Sequence, residues 1–427
     1  MPNKINIFWF RRDLRLNDNT ALIAALLSEI PVLPIFIFDE NILNELPQDD
    51  ARVTFIYDQL AQINQKLKAY DSSIKIMKGR PEEVWKSLVK EYSIEKVYIN
   101  KDYEPYARNR DFAIHSFLEK QEIEMLHYKD QVVHEQEEVM KADGTPYTVY
   151  TPYKNKWLQV YQTIKPLDFP GYSNFIKSAH EFPSLADIGF EKSTIKVQPY
   201  TLNQLGNYDK NRDFPEQDGT SYLGPHLRFG TVSVRQIIAK LGTQDTVFLS
   251  ELIWREFFMQ ILFHFPKVVT RNFKQKYDNV SWRNNPEEIE KWKRGQTGYP
   301  MVDAGMRQLN ATGYMHNRVR MVTAGFLCKH VLTDWRLGEA YFAEKLLDYD
   351  LASNNGNWQW AAGTGCDAAP YFRIFNPIEQ LKKFDKNWSY VKKWVPEVET
   401  EAYPEPMVDH KMARERALDA YKKGLGN

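Results

Sequence analysis

Four stretches of this chain carry residue types that could do chemistry. In ELIWREFF, Glu251, Trp254, Arg255 and Phe258 fall at i, i+3, i+4 and i+7. A helix would place a carboxylate, an indole and a guanidinium on one apolar face. Such charges are costly to bury without partners, so the face is either an amphipathic surface with a Glu251–Arg255 pair or a wall that meets a ligand. In TGYMHNRVRM, Asn317 and Met321 stand one turn apart, with Arg318 and Arg320 beside them. That set suits a phosphate or another anion, or else a solvated basic face. In DGTSYLGPHLRFGTVS, Thr220 and Ser221 precede a helix and offer either an anion site or a plain N-cap. The fourth stretch is LLDYDLASNNGNWQWAAGTGCDAAPYFRIFNP. Asp348 and Asp350 precede a small-polar turn over Ser353–Asn357, followed by Trp358, Gln359 and Trp360. The pattern fits neither a uniform helix nor a strand, and polar turns wedged between indoles point to a ligand pocket.

The elements that must hold these residues follow from pattern and composition. At 427 residues, with 43% hydrophobic and 26% charged, the chain reads as globular and too long for one core. Two cysteines, Cys328 and Cys366, exclude a disulfide scaffold and fit a reducing cytoplasm. They form no CxxC or Cys/His cluster, so no metal site is expected. The N-terminus lacks a signal-peptide pattern, and the longest apolar run, Val32–Phe38, is too short to span a bilayer. Lys+Arg and Asp+Glu both number 56, which excludes a uniformly basic DNA coat but not a local basic groove. The 11 Trp residues invite a search for stacking and electron-transfer roles beyond the core.

Residues 1–130 alternate apolar strand runs with amphipathic helices. Strands are expected at Ile5–Phe10, Val32–Phe38, Ser73–Met77, Lys96–Asn100 and Ile123–His127. This rhythm predicts a five-stranded, doubly wound parallel sheet covered by helices on both faces. No GxGxxG or P-loop fingerprint follows the first strand. A proline-punctuated linker is expected over 131–200, with a short helix near Thr151–Ile164. From 201 to 427 helical periodicity dominates, as in Asp245–Phe263, Asn317–Val331 and Gly338–Leu347. The expected architecture is an α/β domain, a linker and an all-α domain.

These stretches, with WKRGQTGYPMVDAGMRQL and the opening FWFRRDLRLNDNTAL, resemble the photolyase/cryptochrome family in order and over nearly the whole chain. The nearest likeness within it is to class I cyclobutane pyrimidine dimer photolyases. The resemblance implies an FAD in the helical domain, working as FADH⁻. Tyr208, Thr220, Ser221, Tyr222, Leu223 and Gly224 match the segment around its phosphates and ribityl chain. Asp348, Tyr349 and Asp350 match the flavin-contacting stretch. Arg320 matches the arginine that pairs with Asp348 near N1 and C2=O, where a cation favours the anionic reduced ring. Asn354 matches the amide at N5. Trp358, Trp335 and Trp282 match a chain of indoles through which an electron hops to the flavin. Glu251, Trp254, Arg255, Asn317, Arg318, Met321, Trp360 and Gln380 match the pocket and rim for a flipped-out lesion in UV-damaged DNA.

A (6-4) photolyase would carry histidines where Asn317 and Met321 stand, so the resemblance implies cyclobutane dimers as substrate. Asn354 is the photolyase choice opposite N5, where plant-type cryptochromes place Asp and animal-type ones Cys. A cryptochrome-type blue-light photoreceptor is the alternative function. Folate-binding members have an Asn-Glu pair where Tyr106 and Ala107 stand, so the second chromophore is expected to be a deazaflavin or FMN near Arg52, or the site to be empty. Tyr222, Gly224 and Asn357 depart from common family residues. A monomeric cytoplasmic lyase that repairs DNA and has no membrane partner is the expected protein.

Overall fold

The computed structural model describes residues 4–426. The chain divides into two compact units. The first contains residues up to Val139, Gln159–Tyr200 and Leu223–Thr243; the second contains Met140–Leu158, Thr201–Tyr222 and residues from Gln244 onward.

In the first unit five parallel strands, β1 (Ile5–Phe10), β2 (Val32–Asp39), β3 (Lys75–Gly79), β4 (Ile94–Asn100) and β5 (Glu124–Tyr128), lie in the order β3-β2-β1-β4-β5. The period-two geometry of a strand sorts an unbroken apolar run between two faces. Phe8, Phe10, Phe36 and Phe38 enter one apolar cluster, while Ile7, Trp9, Ile35 and Ile37 enter another. Helices Thr20–Leu26, Ala51–Lys68, Pro81–Glu91 and Pro105–Glu119 connect the strands. Two of them open on proline, whose missing N–H is free of cost at a first turn.

The two units are interleaved rather than sequential as the sequence predicts, and the expected 131–200 linker is shared between them. Side-chain chemistry explains the partition. Arg235 donates to Asp18 at 3.0 Å and to Asp130 at 2.8 Å, and Arg15 donates to Asp130 at 2.6 Å, all four residues being buried. Removing one partner would leave an uncompensated buried charge, so 223–243 is tied to the sheet unit. Val32 N–H donates to Asn174 O at 2.8 Å and Val32 O accepts from Ile176 N–H at 2.9 Å, which holds the 159–200 segment there. Trp157 instead donates its indole N–H to the buried Glu256 at 2.7 Å, placing helix Tyr150–Val160 up to Leu158 in the second unit.

The second unit is helical. The elements that carry its chemistry are α1 (Thr246–His264), α2 (Asn317–Gly325), α3 (Trp335–Lys345) and α4 (Leu351–Ala362), with α2 running into a π-helical turn at Phe326–His330. The apolar sides of α2, its π-helical continuation, α3 and α4 share a core that includes Trp292, Val319, Phe326, Trp335, Phe342 and Trp358. The turn expected at Ser353–Asn357 is instead the body of α4, and the helix expected to run from Asn317 to Val331 changes pitch after Gly325. Polar residues persist inside α4 because tertiary partners satisfy them. Asp350 caps it by accepting from Ser353 N–H at 3.1 Å, and the Asn355 and Gln359 amides both donate to Val268 O at 3.0 Å. Gly356 is required where α4 meets α1, since a Cβ there would lie 2.1 Å from the Phe258 ring. No helix among the described residues is long and apolar enough to cross a membrane.

Candidate active site

A pocket in the helical unit is lined by Asn317, Arg320 and Met321 from α2, by Asp348, Tyr349 and Asp350, and by Asn354, Trp358 and Trp360 from α4. Helix periodicity explains the grouping. Asn317, Arg320 and Met321 stand within one turn, as do Asn354 and Trp358.

Arg320 forms a two-pronged pair with Asp348, at 3.1 and 2.9 Å, and its Nε donates to Met315 O at 2.8 Å. The planar fork is thus fixed with one edge satisfied, a geometry that holds a cation steady beside a ligand. Asn354 is buried and its amide donates to Glu339 Oε1 at 2.8 Å and Glu339 O at 3.1 Å. With the NH₂ committed, the side-chain carbonyl is the group left to accept from a ligand N–H. Burial holds the Glu339 carboxyl above the ordinary carboxylate range, partly offset by that same hydrogen bond. Glu339 was not legible as a site residue, because its role depends on α3 crossing α4.

Glu251 and Trp254 project from α1. The ion pair of Glu251 is made with Arg212, at 2.6 Å. Arg212 also stands over the ring of Tyr208 at 5.6 Å. Burial pushes the Tyr208 phenol up to about 12, with Glu251 adding to the shift. Arg318 pairs with Asp213 at 2.7 Å and lies 4.3 Å over the Phe384 ring. The adjacent residues Arg212 and Asp213 therefore engage two expected lesion contacts through complementary charge. Nothing in their sequence spacing reveals this. Tyr150 was missed for the same reason. It stacks on Trp254 at 3.6 Å and 8°, and its hydroxyl donates to Ser250 O at 2.7 Å. Gln380 stands half-buried on helix Pro377–Phe384, and its amide oxygen is buried without a partner. Arg255 is half-buried on α1.

Trp358 and Trp335 are buried and Trp282 packs against the same apolar cluster. Trp335 donates its indole N–H to Asn272 at 2.8 Å. The expected phosphate segment divides at the unit boundary. Thr220, Ser221 and Tyr222 belong to the helical unit, whereas Leu223 and Gly224 open helix Leu223–Arg228 of the sheet unit. Asp218 and Tyr222 adopt positive φ of 39° and 53°, and the Tyr222 hydroxyl donates to Asp218 at 2.6 Å. Two non-glycine residues held in the left-handed region mark a backbone that its surroundings over-determine.

In the sheet unit, Arg52 donates to Asp50, the cap of its own helix, at 2.5 Å. Tyr106 donates to Asp39 at 2.5 Å and accepts from Asn41 at 3.1 Å. Ala107 is buried in helix Pro105–Glu119 and has no side-chain donor. Strand order reverses between β1 and β4, the position where open α/β sheets bind ligands. There Arg12 and Arg228 both pair with Glu104, at 2.8 and 2.7 Å.

His316 caps α2, its Nδ1 accepting from Arg318 N–H at 3.1 Å. Burial, with Arg320 close by, pulls its pKa down to about 4. The unfolded chain binds this proton more readily, so the contribution of the neutral cap is present above about pH 6.5 and is lost as pH falls toward 4. His316→Asn keeps a capping acceptor that does not titrate. Its melting temperature is expected to fall less than that of the parent between pH 7 and 4.5, and parallel curves would contradict the assignment.

Residues 6–171 match the model of the DNA photolyase family, and residues 248–402 match the model of the FAD binding domain of DNA photolyase. The deoxyribodipyrimidine photo-lyase of Escherichia coli is 37% identical, over 98% of each chain. The structure of a class III photolyase from Agrobacterium tumefaciens superposes with a TM-score of 0.88 at 34% identity, covering 100% of this chain and 99% of that one. An archaeal photolyase from Sulfolobus tokodaii, solved with two FAD molecules, gives a TM-score of 0.87 at 34% identity, covering 98% and 99%. The chain belongs to the DNA photolyase family, enzymes of light-driven DNA repair.

Proposed function

We propose that this chain is a deoxyribodipyrimidine photo-lyase that splits cyclobutane pyrimidine dimers in UV-damaged DNA. The observation that carries this reading is the convergence in one pocket of the Arg320–Asp348 fork, the half-committed Asn354 amide and Trp360. The donor set fits a flavin. A fixed cation suits the N1/C2=O edge of a reduced ring, and a free amide carbonyl suits an N–H at N5. Bound there, FADH⁻ supplies a photoexcited electron.

The protein's own residues do the remaining work. Trp254 and Trp360 offer apolar surface to the fused pyrimidines, and stacking on aromatics tolerates any base order. Extruding the dimer costs a few kcal/mol, least at a damaged site, which contributes selectivity. Glu251, with Arg212 holding it, accepts from a pyrimidine N–H, while Asn317 and Gln380 offer amide contacts. Met321 fills space without a titratable group. Trp358, Trp335 and Trp282 would supply oxidisable indoles for reduction of the bound pigment, and Tyr208, Thr220 and Ser221 would hold its phosphates. For a second chromophore, the locking of Tyr106 to Asp39 and the lack of a donor on Ala107 favour a deazaflavin or FMN over folate. The enzyme works as a cytoplasmic monomer.

The test is made in darkness. Flavin-loaded protein should bind an oligonucleotide with one thymine dimer at least ~100-fold more tightly than its undamaged counterpart, about 2.7 kcal/mol of discrimination. Equal affinities would overturn the substrate assignment. Light scattering at working concentration should give the mass of one chain.

A further inference from the structure

Lys329 is a charged residue within the apolar run FLCKHVL and is 3% exposed. Its Nζ donates to Ala362 O at 2.7 Å and Tyr371 O at 3.3 Å, and lies 3.8 Å over the Tyr421 ring. Tyr421 is fully buried and donates its hydroxyl to the same Ala362 oxygen at 2.6 Å. Ala362 ends α4, where backbone carbonyls have lost their intrahelical acceptor role and the helix dipole favours a cation. Tyr371 belongs to the loop that follows. Lys329 itself stands on the π-helical turn that continues α2 without a break. Such turns are rare, and they recur at functional sites because the extra residue re-aims the side chains that follow. Here the re-aimed side chain reaches the end of α4. Burial costs a lysine heavily, and it pulls this one down to about 7.

We infer that Lys329 is a positioning residue, a buried cation that ties the end of α4 and the loop at Tyr371 to the end of α2, and so sets Trp360 against Asn317 and Met321. The inference rests on the reading of α2 and α4 as two walls of the lesion pocket. The opposite end of α4 is anchored separately, by the Asp350 cap and by Asn354 on Glu339. Losing the clamp therefore loosens the lesion wall and leaves the flavin wall in place.

The test uses the flavin-loaded Lys329→Met variant of the whole chain, which keeps an unbranched side chain one atom shorter and removes the amine. Two quantities are read: dark affinity for an oligonucleotide with one thymine dimer, and the rate of flavin photoreduction followed by absorbance. Lesion affinity should weaken about tenfold, the scale of one lost charge-assisted bond. Photoreduction should stay within about twofold. Lys329→Arg, which restores the cation, should recover most of the affinity. Should Lys329→Met not fold, Tyr421→Phe reads the same split on a smaller scale, about threefold in lesion affinity. Parental affinity in the folded variant, or lesion affinity and photoreduction falling together, overturns the inference. A parent that does not discriminate the dimer instead overturns the reading beneath it.

Discussion

Trp335→Phe is expected to slow photoreduction of oxidised enzyme by at least ~100-fold, about 2.7 kcal/mol in barrier terms. Repair by enzyme reduced beforehand should remain nearly unchanged. Trp335 is 1% exposed, lies in the same apolar cluster as Trp358 and Trp282, and does not line the pocket that holds Asn354 and Trp360. Phenylalanine fills most of the indole's volume but is far harder to oxidise, so the relay breaks while the packing largely survives. The lost indole N–H leaves Asn272 Oδ1 without its 2.8 Å donor, a stability cost of about 1–2 kcal/mol. Flash photolysis followed by thymine recovery from pre-reduced enzyme separates the two activities. Equal losses in both would refute the hopping role.

Glu251→Ala should lower lesion affinity or repair yield about tenfold while the flavin stays bound. The effect is modest because Glu251 and Arg212 are about a third and a quarter exposed, which weakens their Coulomb attraction. Arg212→Ala removes the same ion pair from the other side. If Arg212 acts by holding Glu251, the double variant should be little worse than Glu251→Ala alone. Additive losses would give Arg212 an independent contact with DNA. Loss of flavin from Glu251→Ala would place that carboxylate in the wrong pocket.

The sequence made most of the scaffold legible because its central strands, β1 and β2, are buried on both faces. Ile5–Phe10 could be nothing but a buried strand, and it sits at the centre of the sheet. Strand boundaries moved by one or two residues, as where β3 runs over Lys75–Gly79, and the helix expected near Thr151–Ile164 ends four residues earlier, at Val160. Ser353–Asn357 misled for a physical reason. Its small polar residues disfavour helix in isolation, and key compensating partners lie outside the stretch, Glu339 for Asn354 at 15 residues' separation and Val268 O for Asn355 at 87. The interleaving of the units was hidden likewise, since it depends on Arg235 meeting Asp18 and Asp130. Glu251, Asn354 and Arg320 were legible through motif likeness, but Arg212, Glu339 and Tyr150 were not. Each acts through a contact distant in sequence. Lys329 alone left a local trace, as a cation inside FLCKHVL.

The most direct measurement is thymine recovery from a dimer-containing oligonucleotide mixed with reduced, flavin-loaded protein under blue light, beside an identical dark sample. The pocket built from Arg320, Asp348, Asn354 and Trp360 predicts intact thymines that accumulate only in the light, over many turnovers per protein. A flavin-bearing protein that binds the dimer yet yields no more thymine in light than in darkness would contradict it.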